Sequence, residues 1–236
     1  NVPLMMGIEG RPHAVGDRIQ TLSNYGVRVM SMGLLTGDDT PLIWRGPMLH
    51  SVIQQFLHQV DWGELDYLLV DLPPGTGDVQ LSLTQTVPLM GAVIVSTPQD
   101  VALQDARKAI LMFREVRVEI LGIVENMSYF QCPHCNERTA IFSHGGGAAT
   151  AARYDVPFLG EVPLDMTLRE AGDAGRTGTK GSVGGGGCGC YVVVICREVG
   201  CKGVQLGAGV PLWRSGAGEG SRTLVASLEG WSITVM

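Results

Sequence analysis

Between residues 26 and 173, short apolar runs alternate with longer amphipathic stretches, and this alternation limits the possible folds more than any other feature. GVRVMSMGLL (26–35), LDYLLVD (65–71), GAVIVST (91–97), EILGIVENM (119–127) and FLGEVP (158–163) read as strands. They are near-continuous in apolar residues, the pattern of strands buried on both faces. PMLHSVIQQFLHQV (47–60) places Leu49, Val52, Ile53, Phe56, Leu57 and Val60 at helical spacing, with Pro47 suited to the first turn. Further helices are expected over VQLSLTQTV (79–87), stopped by Pro88, and VALQDARKAILMFREV (101–116), for which Asp100 is a candidate cap. HGGGAATAARY (144–154) and MTLREAGD (166–173) complete the helical set, and residues 128–142 are expected to be irregular. The alternation predicts an α/β fold with a doubly wound, mostly parallel sheet. Ligands of such sheets collect beyond the carboxyl ends of the strands, where Asp71, Thr97, Asn126 and Pro163 stand.

The pattern stops after Gly175. Residues 176–236 hold 15 of the 33 glycines, contain no Asp, Asn, His or Phe, and show no sustained period. Glycine at that density disfavours both helix and strand. The expected organisation is therefore one domain over 1–175 and a Gly-rich tail over 176–236, either disordered or a non-native reading frame. Cys188, Cys190, Cys196 and Cys201 sit in that tail and are taken as coincidental rather than as a second metal site. The tail is basic against an acidic body, and the whole chain carries −6. An acidic body disfavours nucleic-acid binding, which needs a basic surface. No apolar run approaches the roughly 18 residues of a membrane span; YVVVIC (191–196) is far shorter. The chain begins with Asn1 rather than Met, which suggests a start further upstream.

Residues 70–78, VDLPPGTGD, end a strand on a carboxylate and then alternate stiff and permissive backbone. An aspartate there can hold Mg²⁺ and its waters. Pro73 and Pro74 fix φ, while Gly75 and Gly77 let backbone N–H groups approach an anion. The competing reading is an ordinary strand–turn–helix connection.

CPHC (132–135) offers two thiolates two residues apart, a donor pair for Zn²⁺ or an iron–sulfur cluster that still leaves a tetrahedral site half made. A redox pair of the thioredoxin type would open a helix directly after a strand, and no strong helix follows here. A zinc knuckle would recruit His134 or His144; His134, inside the motif, is expected to be an exposed loop residue.

Five segments in order, WRGPM (44–48), VDLPPGTGD (70–78), VIVSTPQDVAL (93–103), GIVENMSYFQCPHC (122–135) and FLGEVPLD (158–165), resemble the Mrp/ApbC family from about residue 2 to residue 175. These are P-loop ATPases of the deviant Walker A class that carry iron–sulfur clusters, with a mitochondrial branch associated with respiratory complex I. The resemblance implies that Asp71 is the Walker B carboxylate acting on Mg²⁺ through water. It further implies that Gly75 and Asp78 belong to a nucleotide-responsive switch, and that Asn126, Pro163 and Asp165 line the adenine pocket. Cys132 and Cys135 would each bind a 4Fe–4S cluster that bridges two copies of the chain, so a homodimer and apoprotein clients are implied as partners. The implied place is intracellular, mitochondrial matrix in a eukaryote and cytoplasm in a bacterium; a reducing compartment suits a labile cluster.

The family's Walker A pattern, a Gly-rich loop with Lys and Ser/Thr, is not found in these 236 residues. The domain is therefore expected to be truncated on its N-terminal side, and ATP hydrolysis by this chain is left open. Two other functions share parts of the pattern. One is a partitioning-type ATPase of the same fold, against which CPHC argues. The other is a non-catalytic, dimeric metal-binding module.

Overall fold

The computed structural model describes residues 2–36, 46–65, 67–72 and 78–176, with 46–49 and 78–79 as backbone alone; it also gives the backbone of 191–196, 223–228 and 231–235. In chain order the first elements are α1 (Val2–Met5), β1 (Ala14–Val15), β2 (Arg18–Gln20), β3 (Leu22–Asn24), β4 (Val27–Ser31) and α2 (Met32–Thr36). Next come α3 (Gly46–His58), β5 (Val60–Asp61), β6 (Tyr67–Leu72), α4 (Asp78–Thr86), β7 (Gly91–Ser96) and α5 (Asp100–Glu115). They are followed by β8 (Ile120–Gln131), β9 (Arg138–Thr139), α6 (Gly146–Arg153), β10 (Phe158–Leu164) and α7 (Met166–Asp173). The tail contributes β11 (Tyr191–Cys196), β12 (Thr223–Leu228) and β13 (Trp231–Val235).

The main sheet has the order β10-β8-β7-β11-β6, with β9 paired to the outer part of β8. β8 runs parallel to both β7 and β10. β11 is antiparallel to β6 and to β7, so those two strands point the same way with a reversed strand between them. The expected mixed α/β fold with parallel strands is present, and the antiparallel insertion is its departure from a purely parallel sheet. A second sheet joins β12, β13, β4 and β3, and a small one joins β1, β2 and β5.

The core forms where the helical stripes meet the strands. Leu103, Ala106, Ala109, Ile110 and Phe113 are the buried face of α5, and Val52, Ile53 and Phe56 that of α3. Apart from Leu103, these residues make one continuous cluster with Val70, Leu72, Ala92, Ile94 and Ile123. Burying each large aliphatic or aromatic side chain contributes about 1.5–3 kcal/mol.

Local corrections to the sequence reading have physical causes. MGLLT (32–36) is helix rather than a continuation of the strand, although its apolar run looks the same in sequence. Asp100 is the first residue of α5; the cap position is Gln99, which makes no side-chain capping bond, so Asp100 helps through its charge near the helix dipole. The fourth strand does not end at Met127 but runs on to Gln131. The reading of 176–236 as a tail without regular structure falls mostly on residues outside those described; within it the backbones of β11, β12 and β13 are given.

Candidate functional site

β8 organises the region. Its first half lies between β7 and β10, with Ser96, Glu125 and Glu161 forming one row across the three strands. The register with β10 then slips: Val162 faces Asn126, while Leu164 faces Phe130. β8 therefore carries two extra residues, and the irregularity centres on Met127, whose φ is +54°. A positive φ at a non-glycine costs on the order of 1–3 kcal/mol and tends to occur at functional sites. The bulge bends β8, and its last residues leave β7 and pair with β9, Phe130 with Thr139 and Gln131 with Arg138, while Phe130 keeps its partner Leu164 on β10.

CPHC is the tip of that hairpin. The Cys132 N–H donates to the Glu137 carbonyl at 2.9 Å, and the Asn136 N–H donates to the Cys132 carbonyl at 2.9 Å, with Asn136 in the left-handed region at φ +58°. The Arg138 guanidinium stacks 4.4 Å from the centre of the Tyr129 ring and braces the hairpin stem. Cys132 is half-buried and Cys135 exposed, and both are free thiols. The backbone N–H of Cys135, then that of His134 and the Cys135 side chain, hold the Cys132 thiol below its ordinary value, outweighing a small desolvation. N–H groups aimed at a sulfur favour the thiolate, the form that binds metal. His134 is exposed, and among the described residues no third His, Cys, Asp or Glu joins the two cysteines in a ligand cluster.

Glu125 was not singled out in the sequence and proves central. It is fully buried. Its Oε1 accepts from Ser128 Oγ at 2.5 Å and from the Gly145 N–H at 3.0 Å, and its Oε2 accepts from the Gly147 N–H at 2.5 Å. The carboxylate thus sits at the N-terminus of α6 and fills the role of the missing cap, since Gly145 has no side chain to offer. Gly147 fits closely there: a Cβ would lie 3.0 Å from Glu125 Cβ and 3.1 Å from its Oε2. The sequence signal was the HGGG run, a helix start that calls for an anion without naming it. His144 Nε2 in turn meets Glu161 Oε1 at 3.0 Å, so this histidine is committed to the carboxylate row and not to the cysteines.

The other expected site residues fall in three places. Asn126 is buried on β8, where its Oδ1 accepts from the Met127 N–H at 3.0 Å across the bulge. Pro163 lies on the adjacent β10. Asp165 caps α7, accepting from both N and Oγ1 of Thr167 at 2.7 Å, and these bonds hold its carboxyl below the usual carboxylate range. These three therefore gather on the carboxyl side of β8 and β10. Asp71 is half-buried near the end of β6, separated from β8 by β11 and β7, or about 14 Å at the usual strand spacing. Asp78 opens α4. Gly75 lies outside the described residues, as do Trp44 and Arg45.

The ParA family, described as NUBPL iron-transfer P-loop NTPase, matches residues 1–183. The chain belongs to that family. The iron-sulfur protein required for NADH dehydrogenase, mitochondrial, of Arabidopsis thaliana is 54% identical over 176 residues, covering 74% of this chain and 56% of that protein. The iron-sulfur cluster transfer protein NUBPL of Mus musculus is 52% identical over 177 residues, covering 75% of this chain and 56% of its own length. The iron-sulfur cluster carrier protein of Synechocystis is 52% identical over 181 residues, 74% of this chain and 51% of the relative. This chain thus spans about half the length of the family members it matches. Among solved structures, a nucleotide-binding protein of Archaeoglobus fulgidus in complex with ADP, with Co, superposes with a TM-score of 0.61 at 37% identity. The superposition covers 74% of this chain and 68% of that one. Among the described residues, no helix is long and apolar enough to cross a membrane.

Proposed function

We propose that the chain is an iron–sulfur cluster carrier whose cargo is held by Cys132 and Cys135 and passed to apoprotein clients. The observation that carries this reading is the CPHC hairpin: two free thiols at an exposed tip, with backbone N–H groups favouring the Cys132 thiolate. Two sulfurs are half a cluster's ligands. The resemblance to the Mrp/ApbC family implies that the remaining pair comes from a second copy, giving a homodimer bridged by one 4Fe–4S cluster. Cluster transfer requires such exposure, because a client thiolate must reach the iron to displace a carrier ligand.

The nucleotide half of the proposal rests on the strand ends. Asp71 would orient Mg²⁺ through water, and Gly75 and Asp78 would answer to the γ-phosphate of ATP. Asn126, Pro163 and Asp165 would receive the adenine. β8 links the two halves, since Asn126 and Cys132 stand on one strand and its turn. Hydrolysis is not assigned to this chain, which carries no Walker A pattern. The mitochondrial matrix of a eukaryote or the cytoplasm of a bacterium are the compartments this reading fits.

Anaerobic reconstitution with iron and sulfide, followed by metal analysis and sedimentation, tests the reading. Four irons per two chains, with dimer formation dependent on cluster, is expected. A full cluster on a Cys132→Ala protein would refute the ligand assignment. Reconstitution that succeeds without any change in nucleotide affinity would favour the second reading, a dimeric metal-binding module without turnover.

A further inference from the structure

Besides the cysteines, one other set of metal-ligating side chains converges among the described residues: Glu125, His144 and Glu161, with donor atoms all within 4.8 Å of one another. We propose that these three form a second, thiolate-free site for a first-row divalent cation. They come from three separate elements, β8, the turn before α6, and β10, so the fold and not a flexible loop assembles them.

Two observations point to a cation rather than to a chance cluster. First, Glu125 and Glu161 are direct neighbours in the parallel register of β8 and β10. Like charges directly opposite on adjacent strands repel. A divalent ion between the two carboxylates offsets both charges. Second, the innermost ligand is already oriented. Ser128 Oγ and the N–H groups of Gly145 and Gly147 fill three of its roughly four lone-pair directions, leaving one on Oε2. Fixing a ligating carboxylate by outer hydrogen bonds is how metal sites set geometry.

His144 and Glu161 supply the entry path, their side chains being 51% and 28% exposed. A tetrahedral ion with bonds of ~2.1 Å needs donors about 3.4 Å apart, so small rotations of these two outer side chains close the site, and water completes it. The contact between His144 Nε2 and Glu161 Oε1 already brings a nitrogen and an oxygen donor to 3.0 Å. One imidazole and two carboxylates suit Zn²⁺, Co²⁺, Mn²⁺ or Fe²⁺.

The test uses the full chain with Cys132→Ser and Cys135→Ser, which removes the competing thiolates of the hairpin. Zn²⁺ titration by calorimetry should give one equivalent per chain. Added His144→Ala and, separately, Glu161→Gln should each weaken binding at least ~10-fold, with circular dichroism unchanged. Co²⁺ should give visible bands without thiolate charge transfer. The proposal is overturned if no Zn²⁺ binds, or if binding survives either substitution undiminished. It is equally overturned if uptake occurs only when the cysteines are present. None of these outcomes depends on cluster assembly at CPHC, so this proposal and the carrier reading fail separately.

Discussion

The two halves of β8 differ in everything but their chain. Up to Glu125 the strand is held by neighbours on both sides, and its one carboxylate is buried under three hydrogen bonds. Beyond the bulge at Met127, two pairings with β9, one with β10 and one cation–π contact brace a tip carrying an exposed cysteine. The difference shows how the fold separates a fixed base from an exposed tip. A rigid base fixes where the hairpin points, while the thiols occupy backbone that few contacts restrain. Such low-contact segments are the ones that open locally at small cost.

The largest effect should come from the base. Glu125→Ala leaves two backbone N–H groups and a hydroxyl without their acceptor at the start of α6, and should lower unfolding stability by about 3 kcal/mol. Urea denaturation measures it; a loss under ~1 kcal/mol would erase the contrast between base and tip. Gly147→Ala sharpens the same point through its sign. Alanine normally stabilises a helix over glycine by up to about 1 kcal/mol. Here the new Cβ presses on a carboxylate that three hydrogen bonds prevent from moving, so a net loss of about 1 kcal/mol is expected.

What the sequence disclosed follows the same division. The buried part of the sheet was legible, because strands covered on both faces and one-sided helices such as α5 leave strong apolar periods. The thiol pair Cys132 and Cys135, a candidate for metal ligation, stood out by its spacing. The hairpin that presents it was not, since β9 is only Arg138–Thr139 and the turn of β8 depends on a positive φ at Met127, which no residue type there announces. Glu125 was passed over because an acid closing the run GIVE looks like a strand leaving the core, not like a buried helix cap. α2 was missed because MGLL reads equally well as strand. The reversed β11 depends on a register between residues over a hundred positions apart, which no local pattern encodes.

At the end of β10, Asp165 is an intermediate case, fully local and exposed yet well bonded. Asp165→Ala removes the α7 cap and should cost about 1 kcal/mol at pH 7, while Asp165→Asn should retain most of it. The folded carboxyl titrates below its unfolded value, so its contribution is complete above about pH 4 and disappears as pH falls through the lowered value. The gap between wild type and Asp165→Ala, followed by thermal unfolding from pH 7 downward, should therefore narrow only in acid. A gap independent of pH would mean that the cap works without its charge.

The smallest stability effect belongs to the tip, and there the comparison is tested through reactivity instead. Replacing the exposed Cys135 by Ser should change stability by less than ~0.5 kcal/mol. Alkylation should nevertheless distinguish Cys132, whose thiol is held low by the N–H groups of Cys135 and His134. Its rate with iodoacetamide, followed by peptide mass spectrometry against pH, should reach half its plateau below the ordinary thiol value of about 8.5. Cys135→Pro deletes the first of those N–H donors, and the Cys132 midpoint should then move up toward that value. Cys135→Ser, which keeps the backbone donor and loses only the side chain, should move it less. Equal shifts in the two variants would place the control in the Cys135 sulfur rather than in the turn, and the hairpin would then be a passive support for its thiols.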